Sequence, residues 1–350
     1  MTLSLNYLLV FIPMAILGSI LGWNPALNFV TGSIAVIPLA GLIGESTEVL
    51  AARTGPKVGG LLNATLGNAA ELIITIVAIR AGLIELVKAS ITGSILGNLL
   101  LVMGMSMLGG GLKNGTQRFS RARAGMNATM LILAVIAICV PALFAHALGT
   151  TASPQIEELS LGVSGVMIVL YALGIVYSFR AADSPLVRPS AEAVEPHRSL
   201  RWALVVMAFS TIATVWLSEI IVHSVESVVQ QFHLTEFFLG IVLIPIIGNV
   251  AEHMVGLQVA LKDNMDLSLE ISVGSSLQIA MFVAPLLVFV SLFFGHELNL
   301  VFNRFELIAL VAGVLVASLV SADGESNWLE GAQLLAVYVI LGLGFFFLPA

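Results

Sequence analysis

The sequence predicts an all-α polytopic membrane protein: eleven transmembrane helices, arranged as one extra N-terminal helix and two inverted five-helix repeats. Three observations carry this reading. The 350 residues are 58% hydrophobic and only 10% charged, against about 25% charged in soluble domains. Apolar stretches recur at close to the roughly 20 residues that a membrane-crossing helix needs. One motif, G-N-x-x-E, occurs at 67–71 and again at 248–252, an offset of 181.

In chain order the spans are expected at 4–22, 26–49, 59–82, 89–110, 124–147, 159–179, 201–222, 236–260, 268–294, 300–320 and 328–348. The first stretch, "MTLSLNYLLVFIPMAILG", has no Lys or Arg ahead of its apolar run and no small-x-small cleavage site. It reads as a retained helix and not as a signal peptide. Most connections are short. The longest polar stretch, "RAADSPLVRPSAEAVEPHRSL" at 180–200, reads as a solvated connector between the halves. Cys139 is the one cysteine and lies in an apolar run, so no disulfide framework exists. The net charge of −7 says little about partners, because most of the surface faces lipid, and no nucleic-acid partner is expected.

Orientation follows from Lys and Arg. Alternate loops on one side hold Arg53, Lys57, Lys113, Arg118, Arg121, Arg123, Arg180, Arg188, Arg198, Arg201 and Lys262, which is eleven of the fourteen. Arg80, Lys88 and Arg304 fall on the other side. That bias puts the N-terminus and the connector in the cytoplasm and the C-terminus outside.

Comparing the chain with itself gives the repeat. "GNAAE" meets "GNVAEH", "GSILGN" meets "GSSLQI", and Glu45, Glu85 and Arg123 fall on Glu226, Asp266 and Arg304, all at the offset of 181. The division is then 1–25 for the extra helix, 26–180 for the first repeat, 181–200 for the connector and 201–350 for the second repeat. Five spans per copy is an odd number, so the second copy inserts upside down. Such repeats are typical of secondary transporters, whose substrate sites lie near the midplane.

The candidate site follows from chemistry. An acid at the centre of a span costs roughly 2.5–3.5 kcal/mol on insertion scales and is a functional-site hypothesis by default. Asn68 and Glu71 share one helix face, as do Asn249 and Glu252. Neighbouring spans offer Ser94 and Asn98 in one half and Ser275, Ser276 and Gln278 in the other. All are oxygen donors, which suits a hard cation such as Ca²⁺. Gly67 and Gly248, the latter three residues after Pro245, are expected to loosen their helices and free carbonyls for the ion. Close helix packing, as at Gly93 and Gly97, a small-xxx-small face, is an equally good reading of these glycines. Desolvation and mutual repulsion favour the protonated form of paired acids, and a divalent cation reverses that preference. One site therefore holds either metal or protons.

Other groups are secondary. His253 adjoins Glu252 but points about 100° away round the helix. It reads as a proton relay or as a histidine bonded to a backbone carbonyl. Glu45 and Glu226, related by the repeat, mark mirrored ion entrances or ordinary polar helix ends; Glu48 and Glu219 read as helix ends.

The paired motifs "GNAAELI" with "GSILGNLLLVMG", and "GNVAEHM" with "GSSLQIAMFV", resemble the calcium/proton exchanger family of the calcium:cation antiporter superfamily. The likeness runs from about residue 26 onward. It implies an eleven-helix fold with a hydrated cavity, and Glu71 and Glu252 as carboxylates shared by Ca²⁺ and protons. It further implies backbone carbonyls near Gly67 and Gly248, polar groups from Ser94, Asn98, Ser275 and Gln278, and sliding gating helices at the second and seventh spans.

The expectation is thus a Ca²⁺/H⁺ antiporter that exports cytosolic Ca²⁺ by alternating access, in a prokaryotic cell membrane. Ca²⁺ and protons are its substrates, the lipid bilayer is its surroundings, and no resident cofactor is needed. Exchange of Na⁺ for Ca²⁺, or of another cation for protons, is the rival reading within the superfamily. A cation channel is a third. An intramembrane enzyme is disfavoured, since G-x-S-x-G, H-E-x-x-H and P-loop motifs are missing from the sequence. Nothing in the sequence decides between a monomer and a homo-oligomer.

Overall fold

Lipid offers no partner for backbone N–H and C=O groups, so each apolar stretch must pair them within itself. The computed structural model, which describes residues 5–54, 56–151, 153–180 and 198–348, is accordingly helical nearly throughout. Most of the connector lies outside the described residues. A 3₁₀ turn (Leu5–Val10) leads into α1 (Phe11–Ile20), followed by α2 (Pro25–Thr54), α3 (Pro56–Leu66) and α4 (Ala69–Arg80). Then come α5 (Ile84–Leu96), a π-helical turn (Gly97–Val102), α6 (Met103–Asn114), α7 (Arg121–Leu148) and α8 (Pro154–Arg180). The second half holds α9 (Leu200–Phe232), α10 (Glu236–Phe238), a π-helical turn (Leu239–Leu243) and α11 (Ile244–Leu261). It ends with α12 (Met265–Gln278), a third π-helical turn (Ile279–Val283), α13 (Ala284–Ser291), α14 (Arg304–Val320) and α15 (Trp328–Phe346).

Among the described residues, eight helical stretches are long and apolar enough to cross a membrane. The three remaining expected spans are built differently. The first holds a short apolar helix, Asn6–Ile20. The span at 59–82 is cut into α3 and α4, and the span at 300–320 contains α14, of 17 residues. The cut falls at Gly67–Asn68, where Asn68 leaves helical geometry (φ −104°, ψ 32°). Glycine is a poor helix former, and asparagine competes with the backbone for its own hydrogen bonds.

At Gly248 the expected loosening is not found: α11 runs unbroken from Ile244 to Leu261. The irregularity lies upstream, in the π-helical turn before Pro245. Proline lacks the N–H that would close an ordinary turn, and the wider turn absorbs the gap. The other two π-helical turns directly follow the serine-bearing stretches, at Gly97–Val102 and Ile279–Val283.

The helices pack by small-residue contacts. A Cβ on Gly93 of α5 would stand 2.1 Å from the Ile241 carbonyl oxygen, so only glycine lets these backbones meet. Long α2 packs along α9, and α6 along α15. Two loops are joined by a short antiparallel pair, Gln117–Arg118 (β1) with Glu325–Ser326 (β2). Capping boxes start α14 (Asn303, Glu306) and α15 (Asn327, Glu330), each satisfying two otherwise orphaned N–H groups.

Candidate cation and proton site

The break between α3 and α4 puts Asn68 at the N-cap position and Glu71 in the first turn of α4, where a helix N-terminus favours an anion. Glu71 is buried, at 4% exposure. Its Oε1 accepts from the Ser94 hydroxyl of α5 and, at 2.6 Å, from Asn249 Nδ2 of α11. Its Oε2 is buried with no hydrogen-bond partner among the described residues. On α11, Glu252 is half-buried. The Ser275 hydroxyl of α12 lies 3.0 Å from Glu252 Oε2 and 2.8 Å from Asn68 Oδ1. Each acid therefore meets the serine that follows it by 23 residues in the chain.

The two halves interlock rather than stand side by side. Asn249 of the second reaches Glu71 of the first, and Asn68 of the first reaches Ser275 of the second. A Cβ added to Gly248 would lie 3.2 Å from Glu71 Cγ, so this glycine lets α11 approach the acid. Gln278 flanks the break: its Nε2 donates to the Asn63 carbonyl at 3.4 Å, and its Oε1 lies 3.1 Å from where a Gly67 Cβ would be. Asn98, in the π-helical turn after α5, is buried, and its Nδ2, like that of Asn68, has no hydrogen-bond partner among the described residues. Buried polar atoms left without partners are costly. The unpartnered Glu71 Oε2 stands with the Glu252 carboxylate, the Asn68 amide oxygen and the Ser94 and Ser275 hydroxyls, a set of oxygens fit for a hard cation with its remaining water.

The structure thus brings together Glu71, Glu252, Asn68, Asn249, Ser94 and Ser275, with Gly67, Gly248 and Gln278 around them; Asn98 lies buried one turn beyond Ser94. It does not bring in the secondary groups. His253 is buried on α11 and hydrogen-bonds to no member of this set. Glu45 is exposed and lies 3.6 Å from Arg198; Glu226 is exposed and accepts from Gln230 at 3.3 Å. Glu219 pairs with Arg80 at 2.7 Å.

Sequence reasoning missed a second polar cluster, at the start of α5. Lys88, although buried, donates to Asn299 Oδ1 (3.1 Å) and the Val301 carbonyl (2.9 Å). Glu306, fully buried, accepts from Thr92 at 3.2 Å. The signal for Glu306 was present as N-x-x-E ahead of an apolar run, a capping-box pattern.

Comparison with known proteins places this arrangement. The model of the family described as sodium/calcium exchanger protein matches residues 25–180 and 202–347. The chain belongs to the sodium/calcium exchanger family. Within that family it is similar to a protein named Ca(2+)/H(+) antiporter from Aphanothece halophytica, 44% identical over 98% of this chain and 96% of that one. It is as similar to Ca(2+)/H(+) antiporter ChaA of Bacillus subtilis (strain 168), 44% identical over 96% and 97% of the two chains. Among solved structures of the family, native YfkE superposes with a TM-score of 0.87 at 41% identity, covering 98% of this chain and all of that one.

Proposed function

We propose that this exchanger is a Ca²⁺/H⁺ antiporter in which Glu71 and Glu252 bind Ca²⁺ or protons, never both, at the centre of the membrane. The observation that carries the reading is the cross-linked pair of acids, one of which keeps a buried carboxylate oxygen, Glu71 Oε2, without a hydrogen-bond partner among the described residues. Near-full-length relatives at 44% identity that are named Ca²⁺/H⁺ antiporters support the choice of cations.

In this reading eleven spans cross a bacterial cell membrane, with the N-terminus inside and the C-terminus outside. The break at Gly67–Asn68 lets the chain around residues 59–82 cross as two half-helices, as in other transporters. Inverted repeats at 26–180 and 201–350 are supported by the two segments that the family model matches, 25–180 and 202–347. Ca²⁺ enters between the acids, meets Glu71 Oε2 and the Glu252 carboxylate, and draws oxygens from Asn68, Ser94, Ser275 and the last-turn carbonyls of α3. Two negative charges then face one dication. When the cation leaves, protons neutralise the acids, because desolvated paired carboxylates are poorly tolerated. Gly67, Asn98 and Gln278 line the approach, and Asn249 holds Glu71 in place. Glu45 and Glu226, exposed outside this set, are read as the ion entrances of the two halves, and His253, which makes no direct bond to the acids, as a relay acting through water.

The test is pH-gradient-driven ⁴⁵Ca²⁺ uptake in proteoliposomes, with and without Na⁺. Uptake that follows the proton gradient and ignores Na⁺ is expected. Uptake driven by a Na⁺ gradient at constant pH would overturn the assignment of protons as the counter-ion.

A further inference from the structure

Bonding around the two acids is lopsided. Asn249 crosses to the other half and donates to Glu71. Asn68, its counterpart at the offset of 181, makes no matching bond to Glu252. Its Oδ1 accepts from Ser275, and its buried Nδ2 has no hydrogen-bond partner among the described residues.

Packing is lopsided in the same sense. Beside α5, the Gly93 position meets the Ile241 carbonyl, and a Cβ on Gly240 would lie 2.7 Å from Ala89 Cβ. At Gly274, the counterpart of Gly93, no other element among the described residues comes within 4 Å of an added Cβ. The half whose serine-bearing helix is closed by backbone contact is therefore also the half whose acid receives the amide, and the half without that contact is the one whose acid does not.

We propose that Asn249 and Asn68 are exchangeable struts: the Asn249–Glu71 bond holds the present conformation, and an Asn68–Glu252 bond replaces it when the opposite face opens. This rests on the inverted-repeat, alternating-access reading above. One buried amide is satisfied in each state and the other is left with an idle donor. The hydrogen-bond inventory is then the same on both sides of the transition. Neither state is favoured by its strut alone, which is what an equilibrium that a substrate can tip requires. In this role the two amides are positioning residues: each orients the acid of the opposite half and ties the halves together.

The experiment replaces Cys139 by Ser and introduces Gly274→Cys as a reporter, chosen because that position has room for a side chain and its counterpart Gly93 has none. Its reaction with a membrane-impermeant thiol reagent is followed in sealed vesicles from the face to which it opens. Asn249→Leu removes the strut of the present state and is expected to slow labelling about 2- to 10-fold, the population change worth one hydrogen bond. Asn68→Leu removes the strut of the opposite state, while in the present state the Ser275 hydroxyl that it releases keeps Glu252 as its acceptor, so labelling is expected to speed up. Opposite signs are the diagnostic, since two lost ligands or two packing defects act alike. Changes of the same sign, or none, overturn the exchange. Should Asn249→Leu fail to fold, Asn68→Leu alone decides: faster labelling supports the strut and unchanged or slower labelling overturns it. Calcium binding to Glu71→Gln, measured alongside, separates the two levels of the argument. Undiminished binding defeats the site assignment itself, whereas lost binding with same-sign labelling defeats only the exchange.

Discussion

The two G-N-x-x-E segments are alike in sequence and unlike in structure. In the first, the chain breaks at Gly67–Asn68, and Glu71 is sealed, holding one serine and one asparagine on a single oxygen. In the second, α11 continues through Gly248, and Glu252 is half-buried with one serine. The same contrast appears one helix away, where Gly93 is pressed against a carbonyl and Gly274 faces open space. Two copies of one motif thus occupy different environments, as a site that opens toward one face at a time requires.

Predictions follow that contrast from the largest effect to the smallest. Glu71→Gln and Glu252→Gln are each expected to lower exchange by about 100-fold or more, the scale of removing one partner from a buried charge pairing. Equal losses make the acids one site; full activity of either variant in vesicle uptake breaks the comparison at its root. Gly93→Ala comes next. A methyl there must displace the Ile241 backbone, and overpacking of about 1–3 kcal/mol predicts a 5- to 100-fold fall in transport. Gly274→Ala has space and is expected within about twofold of wild type. Reversal of that order in initial rates would mean that the tight side is not a working contact.

Ser94→Ala and Ser275→Ala should raise the half-saturating Ca²⁺ concentration by about 2- to 10-fold each, one hydrogen bond apiece. The larger effect is expected for Ser94, whose acid is the sealed one. The smallest effect concerns the capping boxes of α14 and α15. Asn303→Ala and Asn327→Ala should each cost about 1 kcal/mol of stability, visible as a shift of a few degrees in melting in detergent. The shift should be larger for Asn303, whose Glu306 partner is fully buried while Glu330 is half-exposed.

Much of this architecture was legible in the chain. Apolar runs of helical length and the repeated motif point to a transporter of the right class. The acids stand out in the sequence by their place in apolar spans and by their repetition, and Ser94, Ser275 and Ser276 by lying in the neighbouring spans. Other features depended on tertiary context. The break at Gly67 and the continuity at Gly248 come from nearly identical residues, so local propensity cannot separate them. What differs is Pro245, which moves the irregularity upstream into a π-helical turn. The Asn249–Glu71 bond is equally illegible, because it joins residues 178 apart across the two halves. Lys88 was read as a loop charge for orientation. Its burial depends on the Asn299 and Val301 oxygens, which only the fold brings to it.

The central claim is that one pair of acids holds either Ca²⁺ or protons. It is tested most directly by adding Ca²⁺ to the purified, lightly buffered protein and recording proton release. The wild type should eject protons as Ca²⁺ binds, and Glu71→Gln and Glu252→Gln should each reduce or abolish that release together with binding. Calcium binding to the wild type without proton release, or release undiminished in both variants, would contradict the account.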